Sequence, residues 1–317
     1  MEIVLNSELF TEEQKEYLKP QILQLISNLS VDLDVSTLKK VIIPKEFTKE
    51  IILFQKEHNK QEKGHTKNEH EEAKAKVMYY MEDGNYYQTV FLHEMFITGV
   101  MFGDDKVVNN CYSFIRHELG HVHDEFNKRK IYSDDLRKGI GLTQSDFILT
   151  IPSDIVWSEY FANRTAGKYL TTDLFLEQAS YTFDLIDRAK EQCTKYVKEY
   201  RKHADVNLLL EQIMNSTHML FYFSALSLGN LHYYKETLDE PNYKIIKESM
   251  EKNIAGTYYE ESWNLIDKAL INLYSKYPQW NDIYQLEELN QAIHKCWNHL
   301  GIYLEDYGEN MFINVPL

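Results

Sequence analysis

"FIRHELGHVHDEF", residues 114–126, contains His117-Glu118-Leu119-Gly120-His121. On an α-helix, positions four apart lie one above the other on the same face, so His117 and His121 can present imidazole nitrogens to one metal ion. Glu118 points to the side of that face, where its carboxylate can hold a water and take its proton. Zinc suits this spacing and lowers the pKa of such a water towards about 7. The competing reading is a histidine-rich turn of an ordinary helix, met by chance in a chain with twelve histidines. A catalytic zinc usually has three protein ligands and an open position, so a third ligand decides between the two.

The candidates for it are spread along the chain. His65 and His70 lie in "KQEKGHTKNEHEEAK", a polar run without apolar period that reads as an exposed loop, a poor setting for a preorganised ligand. His123 is two residues past His121, roughly 200° around a helix, and cannot face the same metal. His93, with Glu94, ends an expected strand and reads as structural. Glu159, in "WSEYFANRTAG", is the strongest candidate. It falls in an expected helix that can fold back antiparallel to the first, with Ala162 and Ala166 small enough for close approach. Asn163, four residues later on the same face, is placed to accept a hydrogen bond from the far ring nitrogen of His117 and so fix its tautomer.

Working outward, "TEEQKEYLKPQILQLISNL" (11–29) opens with a capping box, Thr11 three places before Gln14, and carries a helical apolar period that Pro20 should kink or divide. "KKVIIP" reads as a strand and "FTKEIILFQKEHN" as a helix. "AKVMYYMEDGNYYQTVFLHEMF" (75–96) reads as a β-hairpin turning at Asp83-Gly84-Asn85, with one strand available as a sheet edge. The motif helix begins near Asn109, capped by Asn109 or Asn110. A polar connection with Gly139 and Gly141 follows, and Pro152-Ser153-Asp154 starts the helix of Glu159. Beyond residue 172 the pattern is helical almost throughout, in segments near 172–202, 205–229, 242–253, 258–276 and 282–300. The expected fold is α+β: a small N-terminal sheet with the motif helices in 1–171, and a mainly helical C-terminal part in 172–317 that forms the other wall of a cleft.

The 317 residues are 44 % apolar and 26 % charged, with a formal charge of −15 and a pI near 5.3. Phosphate backbones and anionic lipid would be repelled at long range, which argues against nucleic acid and membrane as partners. The clearest basic cluster, "NKRKIYSDDLRK" (127–138), is interrupted by Asp134 and Asp135 and reads as a solvated turn. Three widely separated cysteines suggest neither a disulfide framework nor a zinc ribbon. With no signal-peptide pattern and no apolar run of membrane-spanning length, the expected location is the cytoplasm.

"HELGH" followed by "SEYFANRTAG" resembles the gluzincin group of zinc metallopeptidases, and most of all the ImmA/IrrE-type peptidases, which carry Glu-x-x-Ala-Asn on the second helix. The resemblance covers about residues 40–170. It implies a zincin-like fold with metal ligands His117, His121 and Glu159 and a catalytic base at Glu118. The chain departs from the group in three ways: Asn163 stands where many gluzincins have Asp, the connection between the two helices is long, and the helical part after 172 has no match. No helix-turn-helix accompanies the motif, so the regulatory role of such proteins beside a DNA-binding partner does not carry over.

The reading that follows is zinc-dependent hydrolysis of a protein or peptide substrate. The donor for the developing oxyanion is left open, with His218, His232 and Tyr233 as candidates from the helical half and His218 preferred. The alternative is a non-proteolytic zinc-binding regulatory or interaction protein that retains a metallopeptidase fold.

Overall fold

The computed structural model describes residues 1–58, 74–238, 240–308 and 310–316. The chain forms two compact units, Met1–Phe126 with Lys168–Thr171 and Asn127–Gly167 with Thr172–Leu317. Residues 127–167 group with the helices that follow 172.

The first unit is built on a four-stranded sheet in the order β1-β2-β4-β3. Strands β1 (Glu2–Leu5), β2 (Leu38–Ile43) and β4 (Asn85–Leu92) run parallel, and β3 (Ala75–Glu82) lies antiparallel to β4 as a terminal strand. Alternation along the central strands sends side chains to both faces. Val41, Ile43, Val90 and Leu92 join one core with α1 (Glu12–Leu29), α3 (Glu94–Phe102) and α4 (Asp105–Ile131). Ile42 and Phe91 face the other way, onto Ile51 and Phe54 of α2 (Phe47–Glu57). The β3–β4 turn places Asp83 and Gly84 at φ 51° and 76°, the left-handed pair of a two-residue hairpin loop.

Several local expectations are revised. The Thr11–Gln14 capping box is formed, but Pro20 does not divide α1. Pro20 is exposed, so water can satisfy the carbonyl its ring releases, while Leu18, Ile22 and Ile26 bury the opposite side across the interruption. Residues 94–96 are not strand: His93 accepts from Met95 N–H at 3.2 Å and starts α3. The motif helix begins at Asp105 rather than Asn109, with Asp104 accepting from Val107 N–H at 2.9 Å. Residues 59–73, which hold His65 and His70, lie outside the described residues.

The second unit is helical: α5 (Asp134–Arg137), α6 (Gln144–Ala166), α7 (Thr172–His203), α8 (Val206–Thr237), α9 (Glu240–Ile254), α10 (Glu260–Lys276) and α11 (Glu287–His299). α6 starts eight residues before Pro152, because Thr143 accepts from Asp146 N–H and caps an earlier turn. The proline sits inside the helix. A short hairpin, β5 (Tyr303–Tyr307) and β6 (Asn310–Asn314), adds strands where none were expected. The basic stretch at 127–138 is not wholly solvated: Lys128 is 3 % exposed and pairs with Asp154 of α6 at 2.9 Å. No helix among the described residues is long and apolar enough to cross a membrane.

Close packing of α8 on α6 depends on Gly229. A Cβ there would meet Tyr160 O at 2.8 Å and Arg164 N at 3.0 Å, both backbone atoms of α6. Gly229→Val is expected to destabilise the chain by about 1–3 kcal/mol, since backbone cannot give way as a side-chain tip can. An unchanged midpoint in urea unfolding would contradict this account of the packing.

Candidate metal centre

α4 supplies the two histidines because of how its core face is fixed. Ile115, Leu119 and Val122 bury one side of the helix, and His117 and His121 project from a side about 200° to 240° away from Ile115. Their Nε2 atoms converge to 3.0 Å, with the rings nearly perpendicular at 85°. Glu118 is half-buried on the flank between those two faces. The negative charge of Glu118 reaches Lys76 on β3, whose ammonium burial pushes below its usual pKa and Glu118 draws back up.

Glu159 lies on α6. One nitrogen of each histidine and one carboxylate oxygen of Glu159 all come within 4.8 Å of one another, the one such group of three or more ligating side chains among the described residues. Two imidazoles and a carboxylate are a ligand set that suits zinc in chemistry. In the second unit the last turn of α4 is tied to α6 by the Lys128–Asp154 pair.

The other sequence candidates have different surroundings. His93 caps α3. His123 Nδ1 accepts from Asp34 N–H at 2.7 Å. Asn163, expected at His117, is buried and donates its Nδ2–H to Leu226 O of α8 at 2.8 Å. That contact makes it a tie between α6 and α8.

His218 is half-buried on α8, within reach of the Glu159 charge. Burial lowers its pKa, and Glu159 acts in the opposite direction. His232 and Tyr233 are taken up by packing. His232 is 5 % exposed, with Nδ1 2.8 Å from Tyr160 OH and Nε2 2.7 Å from Asp267 Oδ1. The Tyr233 ring lies against Gly167, where a Cβ would come within 2.7 Å of it.

Sequence reading missed the polar chain through Tyr160 and the glycine that seats α8 on α6. Tyr160 and Arg164 are four apart on one helix and could have been noted as a pair; their partners on α8 and α10 leave no local signal.

No family model matches the chain, and no curated protein or solved structure shows significant similarity to it.

Proposed function

We propose that the chain is a zinc-dependent peptidase with a zincin-like fold over about residues 1–171, hydrolysing peptide bonds of a protein or peptide substrate. The observation that carries the reading is the convergence of His117, His121 and Glu159, with Glu118 one residue from the first ligand. A purely structural zinc site is usually closed and cysteine-rich, and has no use for a carboxylate beside it. The parallel strands with an antiparallel strand at the end of the sheet, followed by the motif helix, add support.

His117 and His121 would hold the ion through Nε2 and Glu159 through a carboxylate oxygen. Zinc bound there supplies a Lewis acid that lowers the pKa of water and polarises a carbonyl. Glu118 accepts a proton from the attacking water as its oxygen bonds to the scissile carbon, and passes that proton to the amine nitrogen as the C–N bond breaks. His218, whose charged form burial disfavours, is proposed as a donor to the developing oxyanion through a ring N–H.

The substrate would lie extended along β3. No strand among the described residues pairs with its outer edge. The two-residue turn and the His93 N–H to Lys74 O bond fix the ladder so that even-numbered β3 residues bond to β4. Val77 is then directed outward along its backbone. Val77→Pro removes an outward N–H while sparing the ladder, and is expected to raise KM for an extended peptide several-fold, with zinc content unchanged. A KM equal to wild type would remove β3 from substrate binding. Zinc retained by wild type and lost in Glu159→Ala, with peptide cleavage lost in Glu118→Gln, is the result expected of the reading as a whole.

A further inference from the structure

We propose that Asp267, His232 and Tyr160 form a positioning chain that fixes the rotation of α6 and thereby aims Glu159. The inference rests on Glu159 being a metal ligand, and every link of the chain lies within the second unit.

One proton order gives every donor and acceptor of the chain a partner. Arg164 has only donors, so the Tyr160 hydroxyl oxygen accepts from its guanidinium. The hydroxyl proton is then directed to His232 Nδ1, 2.8 Å away, which must be the unprotonated ring nitrogen. The ring proton consequently sits on Nε2 and is donated to Asp267 Oδ1 at 2.7 Å. Tyr160 has no exposure, so its hydroxyl finds its partners within the protein. Arg164 is itself held: it stacks on the Tyr274 ring at 3.7 Å and pairs with Glu236.

The position of this chain matters because Tyr160 is the residue after Glu159. A ring fixed at its hydroxyl end cannot swing, so α6 cannot turn about its axis at that point. A side-chain carboxylate lies about 5–6 Å from the helix axis, and a rotation of about 10° would carry it about 1 Å. Metal sites tolerate departures of only about 0.2 Å in bond length. Asn163 on Leu226 and Gly229 against Tyr160 O set how close α6 and α8 lie, while the Tyr160 chain sets the angle. A phenylalanine in an apolar pocket would fill the same space at no desolvation cost. A fully bonded polar chain adds a unique orientation.

The test uses the full chain and four variants, Asp267→Ala, Asp267→Asn, Tyr160→Phe and Glu159→Ala. Zinc affinity is measured by competition with a chromophoric chelator, the absorption spectrum of the Co2+-loaded protein reports ligand geometry, and urea unfolding confirms that each variant is folded. Asp267→Ala and Tyr160→Phe are expected to weaken zinc binding by about 10-fold and to alter the Co2+ bands, the scale seen when partners of metal ligands are removed. Asp267→Asn keeps an acceptor for Nε2–H and should stay within about threefold of wild type. Folded Asp267→Ala and Tyr160→Phe with wild-type affinity and Co2+ spectrum, beside a Glu159→Ala that has lost zinc, would overturn the chain alone. Zinc held equally by wild type and Glu159→Ala, or by neither, would overturn the ligand reading and the chain with it.

Discussion

Glu159→Ala is expected to yield a folded chain that no longer retains zinc through purification. Wild type, purified without added metal, should carry about one zinc per chain by mass spectrometry, as a three-ligand site would. The substitution leaves only His117 and His121, a pair on adjacent turns of one helix. Loss of an outer partner of a metal ligand already costs roughly 10- to 100-fold in affinity, so loss of the ligand itself should exceed about 100-fold. Folding should survive, because alanine is the best helix former and the flanking turns of α6 are buried through Val156, Trp157, Tyr160 and Ala162. His117→Ala should behave likewise. Zinc in wild type that is indifferent to Glu159 would mean that α6 supplies no ligand; little zinc in wild type would remove the metal reading.

The histidines and Glu159 were legible because each reading needed only a helix and a count of residues. Four residues separate His117 from His121, and four separate Glu159 from Asn163, and helical spacing converts both into shared faces. The same locality made the Thr11 capping box and the Asp83-Gly84 turn readable. What escaped was set at a distance. α3 is nine residues of almost continuous apolar sequence, in which strand and helix have the same appearance until His93 caps one of them. Pro152 looked like a helix start, since proline is favoured there, yet Thr143 had already capped α6 and the ring was accommodated inside. The β5–β6 hairpin would be marginal alone. It is tied to α6 by Ser145 N–H to Asp306 at 3.3 Å and Met311 N–H to Gln144 at 3.1 Å, bonds that span more than 160 residues. Asn163 shows the limit of the face argument: spacing gives the face it shares with Glu159, whereas the bond of its amide to Leu226 O depends on a helix that spacing could not locate.

Glu118→Gln is expected to abolish peptide cleavage while leaving zinc in place. Glutamine has the shape of glutamate and can still hold a water, but its amide cannot take the proton as the oxygen attacks. The loss should be about 10²- to 10⁴-fold in kcat, the range attributed to a general base, with KM little changed. A labelled, unstructured protein such as casein serves as the first substrate, with metal content measured on the same preparations. Three outcomes separate the readings. Cleavage by wild type alone, at equal zinc, assigns the base to Glu118. Cleavage that persists in the variant moves the base elsewhere, even if the ligands are right. Zinc in both with cleavage by neither, across several unstructured substrates, favours a protein that keeps the metal for binding or sensing. In that case Glu118 would have no proton to move, and its place beside His117 would follow from the helix alone.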